Sequence, residues 1–572
     1  RALNADLWPG VDLVMRIEGA SFKYDLLLER SLDVELIRFA YSGPDAMRID
    51  ATGSLIIGTS VGNITEAAPV AFYADGTQET IPCRYVLNGN TVGFIFDGPV
   101  DAQRAIVIDP VVLAATYSGT GDLALTENYG GSATYSADGS IFTGAHCFDQ
   151  GYPTTPGAFQ LNFPGGPYSI AISKLNADGS NRLWATYLGG NGNDTPASMI
   201  EDTDGTLVIM GTSNSDNYPC TPNAFDDSWG GGFIYRDIVV SRLSPDGSTL
   251  IGSTYVGGVD DDGWNGLQAN LGDHVMGEVI LDAAGDIYVC NTSSSPDFPV
   301  SPNAVQTVDG GMQDAVVFKL NYDASALLWS TRMGGIYHDV ASGLHLDGTG
   351  GVYVVGSAAD NGMPFGGTGY QPSFAGSHDG FIAHLVNDGT AIAGATYLGG
   401  ADFDLLQRVD IDPQGRIYVL GQHPSPITVQ PAGTFSTATG SILIARFSPD
   451  LNSLDLMTRV AEGMSPNSFL VDACGKVYIS GYYPDGPLTA DALQTDPGGF
   501  YVGLYDVDVS AHLFGTNFGL QGEHLDAGMS RFTPEGVLYQ AGCEDGWPGT
   551  YATTPNAWST TPATSYDVVV FK

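Results

Sequence analysis

Three consecutive aspartates, Asp260, Asp261 and Asp262, form the stretch whose residue types most directly suggest chemistry. Hard cations such as Ca²⁺ bind clustered carboxylate oxygens. The run is therefore the candidate metal site of this sequence, with Ca²⁺ as the candidate cofactor. It lacks the ligand spacing of an EF-hand loop, so a solvated acidic loop is the alternative interpretation.

Three tryptophans, Trp229, Trp264 and Trp547, match no position of the internal repeat and fall in long connections between strands. Flat aromatic side chains in such places stack on sugar rings or anchor a protein partner. Packing within their own loops is the alternative. Trp558 differs, because the repeat aligns it with Phe159 and predicts that it packs its loop against its own sheet.

Cysteines and histidines are weaker candidates. Cys147 and Cys543 both follow a second strand, in the first and last repeats, and a disulfide between them is one alternative in an exported chain. The histidines of one repeat lack metal-ligand spacing, so we expect satisfied polar or surface positions for them. They are His338, His345, His378 and His384.

No local signature of catalysis appears in the chain. It has no G-x-S-x-G elbow, no H-E-x-x-H pair and no P-loop. The sequence therefore predicts a non-catalytic protein. Two carboxylates that meet only in the folded chain, as glycosidases require, stay an alternative.

An internal repeat positions these residues. Four close copies of one phrase occur at Ala115–Gly119, Ala185–Gly189, Ser253–Gly257 and Ala395–Gly399. Degraded copies lie at Thr331, Thr458 and Thr516. Seven copies indicate seven supersecondary units, none of which can bury its faces without neighbours.

Four strands can be recognised in each unit. The fourth repeat shows them best, at Asp339–Leu346, Gly351–Ser357, Gly380–Val386 and Ile392–Tyr397, with Gly-containing turns within the hairpins. Four antiparallel strands make a propeller blade, so residues 110–572 are predicted to form a seven-bladed β-propeller. The long connections gather on one face, which is the expected binding face.

The two ends of the propeller are predicted to join. The last repeat ends after its third strand, whereas Val112–Tyr117 is a fourth strand without a blade of its own. We expect Val112–Tyr117 to pair with Asp567–Phe571, because this pairing removes two exposed sheet edges. Residues 1–109 are read as a separate, β-sandwich-like domain of alternating strands, which makes the whole chain all-β.

The net charge of the chain makes two classes of partner unfavourable. Sixty-four acidic and 21 basic residues give a formal net charge of −43, which repels nucleic acid phosphates and anionic lipid head groups. No apolar run of about 18 residues is present, so no membrane insertion is expected. The chain also starts without a charged and apolar leader, as a mature exported fragment would.

Several phrases resemble exported bacterial proteins with SBBP propeller repeats. Leu7–Leu13 and Ile106–Pro110 look like the start and the exit of the N-terminal domain of that family, and Asp314–Leu320 is similar to its third strand. Phe469–Gly481 and Thr553–Trp558 look like the Bacteroidetes subset linked to gliding motility and type IX secretion. The resemblance implies an extracellular or outer-surface location and supplies no catalytic motif.

The leading hypothesis is an exported, non-catalytic binding or scaffold protein that serves adhesion or surface assembly. Its partner would be a glycan or a surface protein on the long-loop face. One alternative is a self-associating subunit of an extracellular filament or surface layer. Another is an extracellular carbohydrate-active enzyme.

Overall fold

The computed structural model divides into two compact units, Arg1–Leu113 and Ala114–Lys572. It describes most of the second unit, from residue 128 onward, with gaps at 232–235, 268–276, 483–485, 491, 520–528, 545–552, 555–556 and 560–566. Before residue 128 it describes 2–8, 10–18, 21–28, 34, 37–41, 46–49, 53, 55–59, 62–66, 69, 71–73, 80–98, 100–101, 104–108 and 115–117.

The first unit consists of short antiparallel strands. They are β1 Ala2–Trp8, β2 Val11–Glu18, β3 Ser21–Leu28, β4 Arg38–Ala40, β5 Ala46–Ile49, β6 Leu55–Thr59, β7 Gly62–Glu66, β8 Ala71–Tyr73, β9 Thr80–Ile81, β10 Cys83–Asn88, β11 Thr91–Phe96 and β12 Ile106–Ile108. Three sheets result, with strand orders β1-β2-β3-β12-β8-β9, β10-β11-β4 and β5-β6-β7. Alternating apolar residues such as Leu26, Leu28 and Ile106 point into one buried cluster.

The second unit contains 28 further strands, which we number along the chain. They are β13 Ala115–Tyr117, β14 Asn128–Tyr135, β15 Ile141–Cys147, β16 Ser169–Leu175, β17 Arg182–Leu188, β18 Asp194–Glu201, β19 Leu207–Ser213, β20 Asp237–Leu243, β21 Leu250–Val256, β22 Glu278–Leu281, β23 Ile287–Ser293, β24 Asp314–Leu320, β25 Leu327–Met333, β26 Val340–Leu346, β27 Val352–Ala358, β28 Asp379–Leu385, β29 Ile392–Leu398, β30 Leu405–Ile411, β31 Ile417–Gln422, β32 Ile442–Phe447, β33 Leu454–Ala461, β34 Ser465–Val471, β35 Val477–Tyr482, β36 Phe500–Tyr505, β37 His512–Phe518, β38 Arg531–Phe532, β39 Leu538–Glu544 and β40 Asp567–Phe571. A short 3-10 turn spans Val507–Val509.

These strands form four-stranded antiparallel sheets, seven of them among the described residues. The first to sixth sheets are β14–β17, β18–β21, β22–β25, β26–β29, β30–β33 and β34–β37, and the seventh has the order β13-β40-β39-β38. All-β architecture and four strands per repeat confirm the sequence prediction, and the arrangement is consistent with a propeller-like fold.

The first strands of successive sheets contact one another. These contacts run from β14 through β18, β22, β26, β30 and β34 to β38, and β38 in turn contacts β14. Arg531 on β38 reaches across the second and third sheets: its guanidinium donates to Met199 O at 2.8 Å and Val279 O at 2.8 Å, and it lies 3.4 Å from Glu278 Oε1. The inner strands thus share polar contacts as well as packing.

Apolar cores lie between successive sheets, so the strands are buried on both faces. Val240 and Val289 belong to one cluster between the second and third sheets. Ala145 of the first sheet and Val568 of the seventh belong to another. Strands in which every residue is buried, such as Ile141–Cys147, follow from this packing on both faces.

Long connections between second and third strands cover the outer edges of the sheets. In the first sheet the Thr155 N–H donates to Ala185 O at 3.0 Å, and the Tyr187 N–H donates to Gln160 O at 3.1 Å. Equivalent bonds join the pairs Thr221–Ser253, Ser301–Ser330, Gln371–Tyr397, Gln430–Met457 and Thr489–Gly515. Fourth strands therefore do not offer a free edge for pairing with other chains at these positions.

The strand pairing expected between the two ends of the repeat region is confirmed. Ala115, Thr116 and Tyr117 pair with Phe571, Val570 and Val569 in antiparallel register. The described strand is shorter than the predicted one, since residues 112–114 lie outside the described part of the chain.

This pairing predicts the behaviour of two shortened chains. A chain that begins at Gly119 lacks β13 and exposes the edge of β40, so we expect aggregation and a lower unfolding midpoint. A chain that begins at Val111 keeps the strand and is the matched control, because both lack the first unit. Size-exclusion chromatography and thermal unfolding compare them, and equal solubility with equal cooperativity would contradict the closure role of β13.

Candidate functional site

A repeated aspartate occupies each of four connections between successive sheets. Asp194, Asp262, Asp339 and Asp404 are all buried. Each carboxylate accepts a hydrogen bond from the N–H of the residue four positions earlier, at 2.8, 2.7, 2.6 and 2.7 Å respectively. Each backbone N–H also donates to the residue that precedes the third strand of the sheet before it. The aspartate therefore fixes the junction between two sheets.

A second acidic position faces this junction from the start of the third strand. It is occupied by Asp237, Asp314 and Asp379 in the second, third and fourth sheets, and by Ser169 in the first. The three carboxyl groups are buried, and in each of them Oδ1 has no hydrogen-bond partner in the part of the chain that the structure describes. Three junctions thus bring two buried carboxyl groups together.

The first junction shows how one carboxylate is satisfied. Asp194 accepts hydrogen bonds from Ser213 Oγ at 2.5 Å, Ser215 Oγ at 2.8 Å, Ser169 Oγ at 3.3 Å and the Gly190 N–H at 2.8 Å. Both of its oxygens are occupied, and the third strand supplies a hydroxyl donor instead of a second acid. Serine at this position is thus compatible with the fold.

Two of the acidic junctions include a basic side chain. Arg332 lies 3.3 Å from Asp314. His423 Nδ1 lies 2.6 Å from Asp404 Oδ1, and His423 also lines a cavity of about 230 Å³. Burial raises the pKa of Asp379 to about 6, with the neighbouring charge of Asp404 as a further cause.

The remaining junction, between the second and third sheets, has no such neutralising partner at hydrogen-bond distance. Burial, together with the charge of Asp262, raises the pKa of Asp237 to about 8. Burial also raises the pKa of Asp262 to about 7. At the junction of the third and fourth sheets, burial raises the pKa of Asp339 to about 7, with the charges of Asp360 and Asp314 as further causes. These carboxyl groups favour their protonated forms unless a positive charge compensates them.

The predicted metal run does not converge on one point. Asp262 is buried and Asp261 is half-buried, with its Oδ1 accepting the Arg236 N–H at 3.1 Å. Asp260 is also half-buried, and its N–H donates to Ser295 Oγ at 2.9 Å. No group of three or more His, Cys, Asp or Glu side chains in the described residues is arranged to hold a metal. A metal site at Asp260–Asp262 stays a prediction.

The acidic positions of the third strands were missed by sequence reasoning. Asp237, Asp314 and Asp379 each begin a strand of the same pattern, one repeat apart. Aligning the repeats by their third strands, instead of by the Thr-Tyr phrase, would have placed them beside the aspartates of the connections. In the sequence analysis, Asp262 was treated as part of an acidic run, although Asp194 occupies the equivalent position one repeat earlier.

Three partly exposed aromatic side chains and one buried arginine form a row at one end of the first sheets. We call Phe148, Tyr168, Arg236 and Trp264 the aromatic row. The rings of Phe148 and Tyr168 are 5.3 Å apart, and Arg236 Nη2 donates to Tyr168 OH at 2.7 Å. The guanidinium carbon of Arg236 lies 4.6 Å from the ring of Trp264. Two rings held by one cation, with Phe148 packed beside the first of them, form a surface suited to stacking.

The structure separates the predicted tryptophans. Trp264 belongs to the aromatic row and also packs against the buried cluster of the second and third sheets. Trp229 packs against the buried cluster of the first two sheets. Trp547 lies outside the described residues. Trp558 adopts the place predicted from Phe159: its N–H donates to Gly179 O at 2.8 Å, as the Phe159 N–H donates to Gly247 O at 2.9 Å.

The alternative of a disulfide between Cys147 and Cys543 is not realised. Cys147 is a free, buried thiol whose Sγ donates to Asp149 O at 3.3 Å. Burial raises its pKa to about 11. The side chain of Cys543 lies outside the described residues, although its strand is described.

Histidines of the fourth repeat occupy separate polar positions. His345 Nε2 lies 3.2 Å from Asp410, and His384 Nε2 lies 2.9 Å from Asp347 while stacking on Tyr353. The ring of His378 packs against the ring of Phe403, and their centroids are 4.7 Å apart. His338 lines the same end of the fold but shares no metal cluster with the others in the described residues.

Comparisons with known proteins assign no activity to this chain. Residues 2–111 match the family model of a domain of unknown function (DUF7948). None of the curated proteins matches the chain. Within the described residues, no helical segment has the length and apolar character of a membrane-spanning helix. The resemblance to SBBP-repeat proteins and to type IX secretion stays a prediction.

Several solved structures share a general likeness. A protein of unknown function from Dyadobacter fermentans is 12% identical with a TM-score of 0.32, over 66% of this chain and 96% of that one. An ulvan lyase is 12% identical with a TM-score of 0.37, over 75% and 92%. The NanB sialidase from Streptococcus pneumoniae is 8% identical with a TM-score of 0.36, over 84% and 91%. TM-scores this low establish neither a fold nor an activity for this chain.

Raised carboxyl pKa values predict how stability depends on pH. A carboxyl group that binds its proton more tightly in the folded chain stabilises that state below its unfolded pKa, and the stabilisation is lost as pH rises through the folded pKa. For Asp379 this interval runs from 3.8 to about 6. The free energy of unfolding should fall there by at most about 1.4 kcal/mol per pH unit for this one proton.

The variant Asp379→Ser introduces the residue that the first sheet has at this position. We expect it to reduce the decline of the unfolding free energy between pH 4 and about pH 6. Urea denaturation at stepped pH measures the slope. Thr390→Ser, at an exposed turn, is the control that should leave the slope unchanged. An unaltered slope in Asp379→Ser would show that the carboxyl group titrates normally.

Proposed function

We propose that the chain is a non-catalytic binding protein whose second unit is a closed, seven-bladed β-propeller that holds a glycan on the aromatic row. The observation that carries the binding role is the position of Arg236 between Tyr168 and Trp264. This arrangement leaves aromatic faces partly exposed while fixing their spacing. Such preorganised rings lose little conformational entropy when they stack on a ligand.

Contacts between the last and first sheets support a closed ring. The covering loops of the first five sheets each donate a backbone hydrogen bond to a turn of the following sheet. These donor–acceptor pairs are Phe159–Gly247, Phe225–Ala324, Val305–Gly389, Tyr370–Leu451 and Phe435–Val509. The pair Trp558–Gly179 makes the same bond from the seventh sheet to the first. A ring of seven units continues this pattern without an end.

An uncharged glycan fits the electrostatics better than an acidic one. The chain carries a net charge of −43, and carboxyl groups lie beneath the aromatic row at each junction. Negative charge on a ligand would be repelled, whereas sugar rings present C–H faces and hydroxyls to aromatic rings and amides. The same charge supports the proposed location outside the cell, where it maintains solubility in high salt.

Adhesion or surface assembly is the proposed role of this binding. Edge strands are covered by their own loops, so contact with a surface partner would use the end of the sheets rather than strand addition. A filament or surface-layer subunit would instead self-associate. Sedimentation analysis at high protein concentration distinguishes the two, because only the filament role requires concentration-dependent assembly.

A carbohydrate-active enzyme is the second candidate, favoured by one observation. The cavity of about 230 Å³ is lined by Gly400 and His423, both of which contact the buried Asp404. Asp379, whose pKa is raised to about 6, lies beside it. A glycosidase needs a protonated carboxyl group of this kind. Hydrolysis or elimination of a glycan that Asp404→Asn abolishes would establish this role in place of simple binding.

A glycan array tests the binding role on the full chain. We expect Trp264→Ala to weaken binding of the bound glycans by at least about tenfold, equivalent to about 1.4 kcal/mol, because it removes one stacking face. Trp558→Phe is the matched control, since it replaces a tryptophan by the residue of an equivalent loop. Unchanged binding in Trp264→Ala, or no binding by the unaltered chain, would reject the proposal.

A further inference from the structure

We propose that the junction between the second and third sheets binds one hard divalent cation, Ca²⁺, between the carboxylates of Asp237 and Asp262. Asp237 is the first residue of β20, and Asp262 is the last residue of the acidic run Asp260–Asp262. Only Asp262 of that run takes part, and its partner comes from a strand 25 residues earlier in the sequence. The inference does not depend on glycan binding.

The two carboxyl groups face each other across one glycine. Asp237 Oδ1 and Asp262 Oδ2 lie 2.7 and 2.8 Å from the position that a Cβ on Gly257 would occupy. The two oxygens are therefore within 5.5 Å of each other. Oxygen ligands of Ca²⁺ lie about 2.3–2.6 Å from the ion, so one ion contacts two oxygens that are up to about 5.2 Å apart, which is close to this upper limit.

Unused oxygens point to a missing ligand. Asp237 is 1% and Asp262 is 0% exposed, and the Oδ1 atom of each has no hydrogen-bond partner in the described residues. The other oxygens are held in place: Gly230 N–H donates to Asp237 Oδ2 at 2.8 Å, and Ser295 Oγ donates to Asp262 Oδ2 at 2.7 Å. Buried carboxylate oxygens without partners are costly, and a cation removes that cost.

Charge balance distinguishes this junction from the others. Arg332 forms an ion pair with Asp314 at the junction of the third and fourth sheets, His423 lies beside Asp404 at the next junction, and Ser169 replaces one acid at the first. Neither Asp237 nor Asp262 forms an ion pair with the described residues. Arg332 is committed elsewhere, since its guanidinium contacts Asp314, Asp309 and the Ser295 carbonyl.

Neighbouring acids add to the negative potential at the same point. Asp297 Oδ1 accepts the Val259 N–H at 3.0 Å, in the loop that also contains Gly258. The charges of Asp226 and Asp297 also act on Asp237. The charge of Arg332 acts on Asp262 in the opposite sense. Several acids offset by a single base still leave a negative potential that attracts a divalent cation, with water completing its coordination.

Thermal unfolding of the full chain tests the proposal. The protein is freed of metal with EGTA and then titrated with CaCl₂, with NaCl of equal ionic strength as the reference. We expect a saturable rise in the unfolding midpoint that NaCl does not reproduce, because an ion that binds only the folded state stabilises it. Isothermal titration calorimetry should give one tight site per chain.

Variants locate the ion. Asp237→Ser copies the first junction, and Asp237→Asn keeps an acceptor for the Gly230 N–H in case the serine variant folds poorly. Both should lose the Ca²⁺-dependent rise, whereas Asp216→Asn, at an exposed acid, should retain it. The proposal is overturned if Ca²⁺ and NaCl act equally on the unaltered chain. It is also overturned if a folded Asp237 variant keeps the rise, or if Asp216→Asn loses it.

Discussion

Pairing between Ala115–Tyr117 and Asp567–Phe571 joins segments from the two ends of the second unit, and the packing of all its sheets depends on it. The seventh sheet is completed by a strand from the opposite end of the unit, so its core against the first sheet exists only once both ends have met. Contacts of such long sequence separation form late and make folding slow. Backbone hydrogen bonds that covering loops donate to turns of the following sheet also link neighbouring sheets of the unit.

One structural position, repeated at several junctions, takes different chemistry in each. The aspartate of the connection is held in the same way by a backbone N–H, because the Gly-Gly segment before it turns the chain back on itself. What differs is the residue at the start of the third strand and the base nearby. A serine hydroxyl, an arginine or a histidine lies beside a carboxyl group in three cases, and Asp237 with Asp262 is the pair for which we propose an external cation.

Loops that cover the outer edges also limit the surface that is left for the proposed binding. Residues expected to project as free binding loops instead run along fourth strands, where their backbone groups are used. Surface that remains available lies at the ends of the strands, where Tyr168 and Arg236 precede the third strands of their sheets. The aromatic row is therefore positioned by rigid strands, and its geometry does not rely on flexible segments.

Sequence alone determined the all-β class, the repeat, the strands of the fourth sheet within one residue and the pairing of β13 with β40, because apolar alternation, turn residues and strand parity are local properties. It also placed Trp558 by repeat alignment. Only the tertiary structure decided that Asp262 faces Asp237, that Trp229 is packed while Trp264 joins Arg236, and that Cys147 is a free thiol. Those side chains meet partners from other sheets or loops, and the distances between sheets are fixed by packing, which no local pattern encodes.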